Sequence, residues 1–312
     1  MDGVLVIDKP AGPTSHDVVA VVRRAIKSPR VGHTGTLDPL ATGVLPLVVG
    51  QATRLASFMS GADKEYVAQI RLGSATRTYD AEPDQSIEPA GDPAAHAAAV
   101  AGLSERDIVD ALPAFAGRYM QTPPAFSAKK VGGKSAYKLA RAGKTVDIAP
   151  VEVHVSALNL ETYSNGLAQV RLTCSSGFYV RSLAHDLGQR LGCGAHLEGL
   201  RRTRSGTFAL DGAIVLDAVI QEGVAVAQRA LVPMSQLVTH LPAVTTTAEG
   251  ARRVGHGSAL RPTDLVRHSG TQMVFESDET AARWRLFDGS GTLLGLAEPR
   301  ADGLLHPVLV LV

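Results

Sequence analysis

Apolar and polar residues alternate over residues 66–72. Tyr66, Ala68, Ile70 and Leu72 share one face, and Val67, Gln69 and Arg71 share the other. That two-residue period predicts a β-strand with one buried side. Residues 168–174 alternate in the same way, and residues 4–8 read as a short strand ended by Lys9-Pro10. Helical spacing appears elsewhere. Thr14 and Asp17 fit a reciprocal cap before Val18, Val19, Val22 and Ile26, with Pro29 as the expected stop. Ser104 and Asp107 repeat the cap ahead of Ile108, Ala111 and Leu112. Residues 135–142 form a short predicted helix closed by Gly143. Val180, Leu183, Ala184, Leu187 and Leu191 keep a helical period up to Gly192. Residues 30–39, rich in Gly and Thr, read as a loop.

The pattern changes near Gln236. Beyond Gly255 there are short strand-like runs at residues 265–267, 272–275, 284–287, 293–297 and 304–312, with Asp288-Gly289 and Asp302-Gly303 as turn pairs. This predicts a main unit over residues 1–236 and a small β unit over 237–312. The main unit mixes antiparallel-looking strands with helices and has no regular βαβ rhythm. The expected class is therefore α+β: a mixed, largely antiparallel sheet with flanking helices, plus a small C-terminal β-barrel.

Composition narrows the class. The chain has 312 residues, 45% hydrophobic and 20% charged, enough to bury a core. Two cysteines, Cys174 and Cys193, make no disulfide framework and point to a reducing compartment. The segment MDGVLVIDKPAG has no basic region or apolar run of leader length, and no stretch approaches 18 apolar residues. A cytoplasmic protein without a membrane partner is the expectation. Lys+Arg total 31 against 30 for Asp+Glu, a net charge of +1, which alone argues against a bulk positive field for nucleic acid. By segment the picture differs. Residues 80–110 hold eight acids and one base, Arg106. Residues 129–144 hold Lys129, Lys130, Lys134, Lys138, Arg141 and Lys144 with no acid, and Arg201, Arg202 and Arg204 form a second cluster. Such patches can hold a polyanion despite a neutral total, although most charge runs are solvated faces.

Several chemistries fail on spacing. Gly133-Lys134-Ser135 and Gly143-Lys144-Thr145 resemble the end of a P-loop, but the required upstream glycines are replaced by Ala128 and Lys138. No GxGxxG, HExxH or GxSxG occurs, and Cys193 with His196 lacks a second ligand pair for a metal. No nucleotide cofactor and no metal are expected. The densest candidate is GHTGTLDPLATGVLP at residues 32–46, which sets Asp38 between Leu37 and Leu40. A carboxylate in apolar surroundings needs a compensating cation to stay charged. Read alone, Asp38-Pro39 is also an ordinary turn.

This loop resembles the catalytic signature of the TruB-type tRNA pseudouridine synthases, and the resemblance runs through most of the chain. VLVIDKPAGPTS is similar to the family's lysine-proline motif and KEYVAQIRLG to its tyrosine strand. PPAFSAKKVGGKSAYKLARAG resembles the basic RNA-binding insertion of this branch, about residues 123–146. SSGFYVRSLAHDLG and CGAHLEGLRRTRSG resemble its later motifs. Pro83 departs from the family's usual acidic-Gly pattern. The C-terminal part resembles a short RNA-binding PUA domain.

The resemblance implies isomerisation of uridine 55 in the tRNA T-loop to pseudouridine by base flipping, without cofactor, by a monomer. It makes Asp38 the nucleophile, with attack on ribose C1′, attack on the base and a glycal path all open. Arg181 is implied as its partner cation, Tyr66 as the stacking and proton-handling residue, and Tyr179, His33 and Leu200 as pocket residues. Taken singly, Tyr66 and Tyr179 read as packing, Leu200 as core, and Arg181 as a surface residue whose position at a helix start the dipole disfavours. Lys130, Lys134, Arg201 and Arg202 are the expected phosphate contacts, and Lys9 is expected to hold either structure or RNA. The competing readings are a non-catalytic RNA-binding protein on the same scaffold, a nucleotide hydrolase, and a pseudouridine synthase acting on another RNA.

Overall fold

The computed structural model describes residues 1–81, 92–127, 129–131, 133–143, 147–266 and 283–312. Pro83, Gly132, Lys144, Arg267 and residues 272–275 lie outside that set. The chain opens with β1 (Gly3–Lys9), α1 (Ser15–Ala25), β2 (Val31–His33) and β3 (Thr42–Val49). It continues through α2 (Ala56–Ser60) and β4 (Lys64–Leu72). Helices α3 (Pro93–Ala101) and α4 (Glu105–Ala111) lead to β5 (Gly117–Gln121). A short hairpin, β6 (Lys130–Val131) with β7 (Lys134–Ser135), and α5 (Ala136–Arg141) precede the long strands β8 (Val151–Ser164) and β9 (Leu167–Cys174). Then come α6 (Val180–Arg190), β10 (Ala195–Ser205), β11 (Phe208–Ala209), β12 (Ile214–Val215), α7 (Leu216–Glu222), α8 (Val224–Ala230) and β13 (Val232–Pro233). The chain ends with β14 (Ala243–Thr245), α9 (Ala248–Gly255), β15 (Trp284–Phe287), β16 (Leu293–Pro299) and β17 (Leu305–Val310).

The main sheet runs β12-β1-β3-β10-β4-β9-β8-β5, with β11, β13 and β2 pairing at its sides. Only β1–β12 and β3–β10 are parallel among its described pairs, so the sheet is mixed and largely antiparallel as expected. The alternation in β4 appears directly: Tyr66, Ala68, Ile70 and Leu72 are buried, and Gln69 is exposed. That face packs with Val18, Val19 and Val22 of α1 and Leu183, Ala184 and Leu187 of α6 in the principal core. Each valine, leucine or isoleucine side chain among them removed from water contributes about 1.5–3 kcal/mol.

Strand β1 is buried on both faces. Leu5 and Ile7 face the helices, whereas Val4 and Val6 join Val44, Val48, Leu237, Val238, Leu293, Leu296 and Leu311 in a second cluster. The separate C-terminal sheet, β14-β15-β16-β17, thus packs against the back of β1 and β3. Its own core holds Val244, Val254, Leu260, Leu265, Leu286 and Leu305.

Both reciprocal caps form, at Thr14/Asp17 and Ser104/Asp107. Helix α1 ends earlier than Pro29 requires. Lys27 turns left-handed at φ 52°, its N–H donates to the Arg24 carbonyl at 3.3 Å, and the Ser28 N–H donates to the Arg23 carbonyl at 3.2 Å. That is a Schellman stop, in which the backbone satisfies the last carbonyls before the proline is reached.

The parallel contact between β3 and β10 depends on Gly43. Its φ is 99°, and a Cβ there would lie 2.2 Å from the Arg202 carbonyl oxygen. Gly43→Ala must force these strands apart and should cost on the order of 3 kcal/mol or more. Chemical denaturation measures this directly. An unshifted midpoint would mean that the strands tolerate separation.

Candidate active site

The segment after β2 crosses the sheet end without regular structure, so its shape must come from side chains that bind its backbone. Three buried groups do this. Lys9, fully buried at the end of β1, donates through Nζ to the carbonyls of Pro10 at 2.9 Å, Pro39 at 3.1 Å and Ala41 at 2.6 Å. Arg202, 1% exposed on β10, donates to the carbonyls of Val44 at 2.7 Å, Gly35 at 3.1 Å and Thr36 at 3.4 Å. Ser15, the first residue of α1, accepts the Leu37 N–H at 2.8 Å and donates to the Leu37 carbonyl at 3.0 Å. The Ala41 N–H closes a turn onto the Asp38 carbonyl at 3.0 Å. Asp38 is thereby held on a fixed backbone between a buried leucine and a tight turn.

Its carboxylate meets Arg181. The Arg181 Nε lies 2.9 Å from Asp38 Oδ2, and Nη2 donates to Oδ1 at 3.3 Å. The Arg181 side chain is 9% exposed and that of Asp38 36%, so the cation is sheltered while the carboxylate stays reachable. Arg181 is the second residue of α6, where the helix dipole opposes a cation. A second carboxylate offsets this: Asp80 Oδ2 lies 3.3 Å from Arg181 Nη1 and is buried. The carbonyls of Thr78 at 3.3 Å and Phe126 at 3.2 Å take two further guanidinium donors. Every direction of the fork is thus used.

The sequence-derived residues fall into two groups. Asp38 and Arg181 are in direct contact. Tyr66 is buried on β4, directly opposite Arg202 in the sheet. Burial raises its phenol above the usual value, and the nearby Arg202 guanidinium offsets part of that. The hydroxyl therefore carries its proton near neutral pH. His33 ends β2 with its ring half-buried. Desolvation and the charges of His16 and Arg202 hold it below the ordinary histidine value, so the ring is neutral near pH 7. Tyr179 is half-buried just before α6. Its backbone is clamped by the Gln121 side chain, which accepts the Tyr179 N–H at 2.9 Å and donates to its carbonyl at 3.0 Å. Leu200 lies on β10 opposite Ala68, and its carbonyl accepts from Thr42 Oγ1 at 3.3 Å.

The expected phosphate contacts need correction. Lys9 and Arg202 are buried among carbonyls and reach no solvent, so neither can touch a phosphate. Both are scaffold cations. Arg201 is half-exposed, but it holds Asp8 in two hydrogen bonds of 2.8 and 3.0 Å, which a phosphate would have to displace. Lys130 stands exposed on the β6–β7 hairpin. The Lys134 backbone belongs to the same hairpin, and its side chain lies outside the described residues.

Sequence reasoning missed Asp80, Gln121, Ser15 and Lys64. Asp80 reads as one acid in an acidic run, Gln121 as a strand polar residue, and Ser15 as a spare hydroxyl beside a cap. Lys64 is buried and donates to the carbonyls of Ser60 at 2.6 Å and Ala62 at 2.5 Å. Its place on the inward face of β4 was the available signal. Among the described residues no cluster of metal-ligating side chains occurs, and no helix is long and apolar enough to cross a membrane.

Solved structures share this architecture. One described as a Cbf5-Nop10-Gar1 complex superimposes with a TM-score of 0.71 at 26% identity, covering 99% of this chain and 85% of that one. An H/ACA RNP bound to a substrate RNA containing 2′-deoxyuridine gives 0.70 at 25% identity, with the same coverage. The fold is that of the Cbf5 pseudouridine synthases. The profile of the TruB family pseudouridylate synthase N-terminal domain matches residues 23–180, and that of the tRNA pseudouridylate synthase B C-terminal domain matches 181–239. A tRNA pseudouridine synthase B of Solibacter usitatus (strain Ellin6076) is 42% identical over all of both chains. One of Geobacter sulfurreducens (strain ATCC 51573 / DSM 12127 / PCA) is 44% identical over 87% of this chain and 86% of its own. The chain belongs to the TruB family of pseudouridylate synthases.

Two outcomes follow from the site's electrostatics. Lys9→Met strips a donor from three inward-facing carbonyls and should cost on the order of 3 kcal/mol. Thermal unfolding checks this, and an unchanged Tm would show that the loop needs no such tie. One turn beyond Arg181, burial pushes the half-buried Asp186 carboxyl up to about 6 from an ordinary 3.8. A native state that binds the extra proton loses stability as pH rises between those values. Asp186→Asn should flatten the decline in stability between about pH 4 and pH 6. An identical pH profile for the variant would assign the decline to other groups.

Proposed function

We propose that this chain isomerises uridine 55 in the T-loop of tRNA to pseudouridine, with Asp38 as the nucleophile. The observation that carries the reading is the reachable Asp38 carboxylate paired at 2.9 Å with the sheltered Arg181 on a loop fixed by buried donors. Family membership supplies the reaction class, and the relatives' names supply tRNA as substrate. In the reaction the N1–C1′ bond breaks, the base turns, and a C5–C1′ bond forms. The C5 proton leaves and N1 gains one, so no redox or phosphoryl chemistry is involved and no cofactor is required.

Every route for Asp38 needs a charged carboxylate in a site that excludes water. Arg181 supplies the counter-charge and fixes both oxygens, and Asp80 holds Arg181 from its other side. Flipping the target base out of its stack costs on the order of a few kcal/mol, and an aromatic platform returns roughly 1–3 kcal/mol. Tyr66 and Tyr179 are assigned this role, with His33 and Leu200 completing the pocket. The raised Tyr66 phenol acts by stacking and hydrogen bonding, since it is protonated at neutral pH. Lys130 and Lys134 of the insertion contact the RNA backbone, residues 237–312 form a second RNA-gripping PUA-like unit, and the protein works as a cytoplasmic monomer.

Asp38→Asn should fold, bind tRNA, and lose pseudouridine formation by on the order of 1,000-fold or more. Tritium release from C5-labelled tRNA measures the loss, and nucleotide-resolution mapping of the wild-type product reads the position. Substantial turnover by the variant would sink the assignment of Asp38, and modification elsewhere than position 55 would overturn the stated target.

A further inference from the structure

A cationic surface outside the site lies on α1. His16, Ala20, Arg23, Arg24 and Lys27 are exposed at helical spacing, opposite the buried Ser15, Val18, Val19 and Val22, and Arg30 follows the turn, also exposed. Among the described residues, none of the four cations Arg23, Arg24, Lys27 and Arg30 has a carboxylate within ion-pair distance. The acids on α1 and on α7, which packs against it, are placed elsewhere. Asp17 is bound in the cap with Thr14, Glu222 is paired with Arg229, and Asp217 lines a cavity of about 330 Å³ beside Asp8 and Arg201.

Two further features give this surface a direction and a bias toward positive charge. Its first residue, His16, stands edge-on to His33 at 5.3 Å between ring centroids, so the face begins beside the residue assigned above to the Asp38 pocket. Its far end is Lys27, at φ 52°, the left-handed stop position that favours glycine. A long cationic side chain occupies a place where the backbone alone prefers none. The eleven residues of α1 span about 16 Å, enough to face roughly five phosphates at 3.4 Å per nucleotide along a strand.

We propose that this face of α1 is a second RNA-phosphate surface, which guides the substrate backbone away from the Asp38 pocket. The inference rests on the reading of that pocket as a tRNA site. The competing account is local: cations in the last turn of a helix complement its dipole and need no ligand.

The test uses the full chain and an unmodified tRNA transcript. Affinity is measured against salt concentration, and Tm is measured in parallel. The combined variant Arg23→Gln, Arg24→Gln, Lys27→Gln and Arg30→Gln should bind about tenfold or more weakly. Its logarithmic salt slope should be shallower by roughly 3–3.5, at about 0.7–0.9 for each of the four phosphates that the variant no longer neutralises. Lys27→Gly separates the two accounts, because it should keep or raise Tm while the slope still falls by about 0.7–0.9. Arg106→Gln with Arg118→Gln removes two exposed charges elsewhere and should leave the slope as in wild type. If the wild type binds and modifies the transcript and the fourfold variant keeps its slope, the α1 surface is refuted while the site reading stands. A fall in Tm without a change of slope refutes it in favour of the dipole account. If the wild type neither binds nor modifies the transcript, both readings fall together.

Discussion

The structure of the Asp38 loop depends on burying cations among main-chain oxygens. An ammonium or guanidinium removed from water is costly unless its hydrogens find acceptors, and an irregular backbone offers acceptors that no strand or helix has claimed. Lys9 and Arg202 solve both problems at once. Between them they take the loop carbonyls of Gly35, Thr36, Pro39 and Ala41 and that of Val44 in β3, so the loop's unpaired oxygens and the cations' unpaired hydrogens satisfy one another. Ser15 completes the arrangement at Leu37 from the first turn of α1. The register of β3 with β10 is part of the same device, because Gly43 allows the close approach that brings Arg202 under the loop.

That scaffold explains why a carboxylate can sit reachable yet immobile. Arg181 adds the charge partner from α6, in a helix turn where the dipole works against it. Asp38 and Asp80 on either side make the position tenable, and the Thr78 and Phe126 carbonyls fix the plane of the guanidinium. A planar, always-charged fork with five donors can bind two carboxylates and two carbonyls together, whereas an ammonium could not hold that geometry. Replacing Arg181 with lysine would therefore keep the charge and lose the placement of Asp38.

Much of this was legible in the chain. The alternation at residues 66–72 and both reciprocal caps appear as read, because period and capping are local properties. Asp38 and Arg181 were paired only through resemblance, since 143 residues separate them and nothing local joins them. The stop of α1 was misplaced because a Schellman turn at a lysine has no glycine to announce it. Arg202 was misassigned, and Lys9 was left between a structural and an RNA role, for a physical reason. Lysine and arginine are by default solvent residues, and burial among loop carbonyls follows from tertiary placement alone. Asp80 was hidden by its acidic neighbours, since composition averages over residues that face in different directions.

The same distinction changes what a net charge of +1 means. Lys9, Lys64, Arg181 and Arg202 act inside the protein, and Arg201 is matched by Asp8. These cations shape the site but project little field, because each is ringed by oxygens of the chain itself. An RNA approaching from solvent meets instead the cations that have no internal partner, and screening limits even these to about 10 Å at ordinary ionic strength. Where such cations lie thus matters more than how many the chain contains. A protein can be neutral overall and still present a directed positive surface, provided its acids are exposed on a different segment and its structural cations are counted apart.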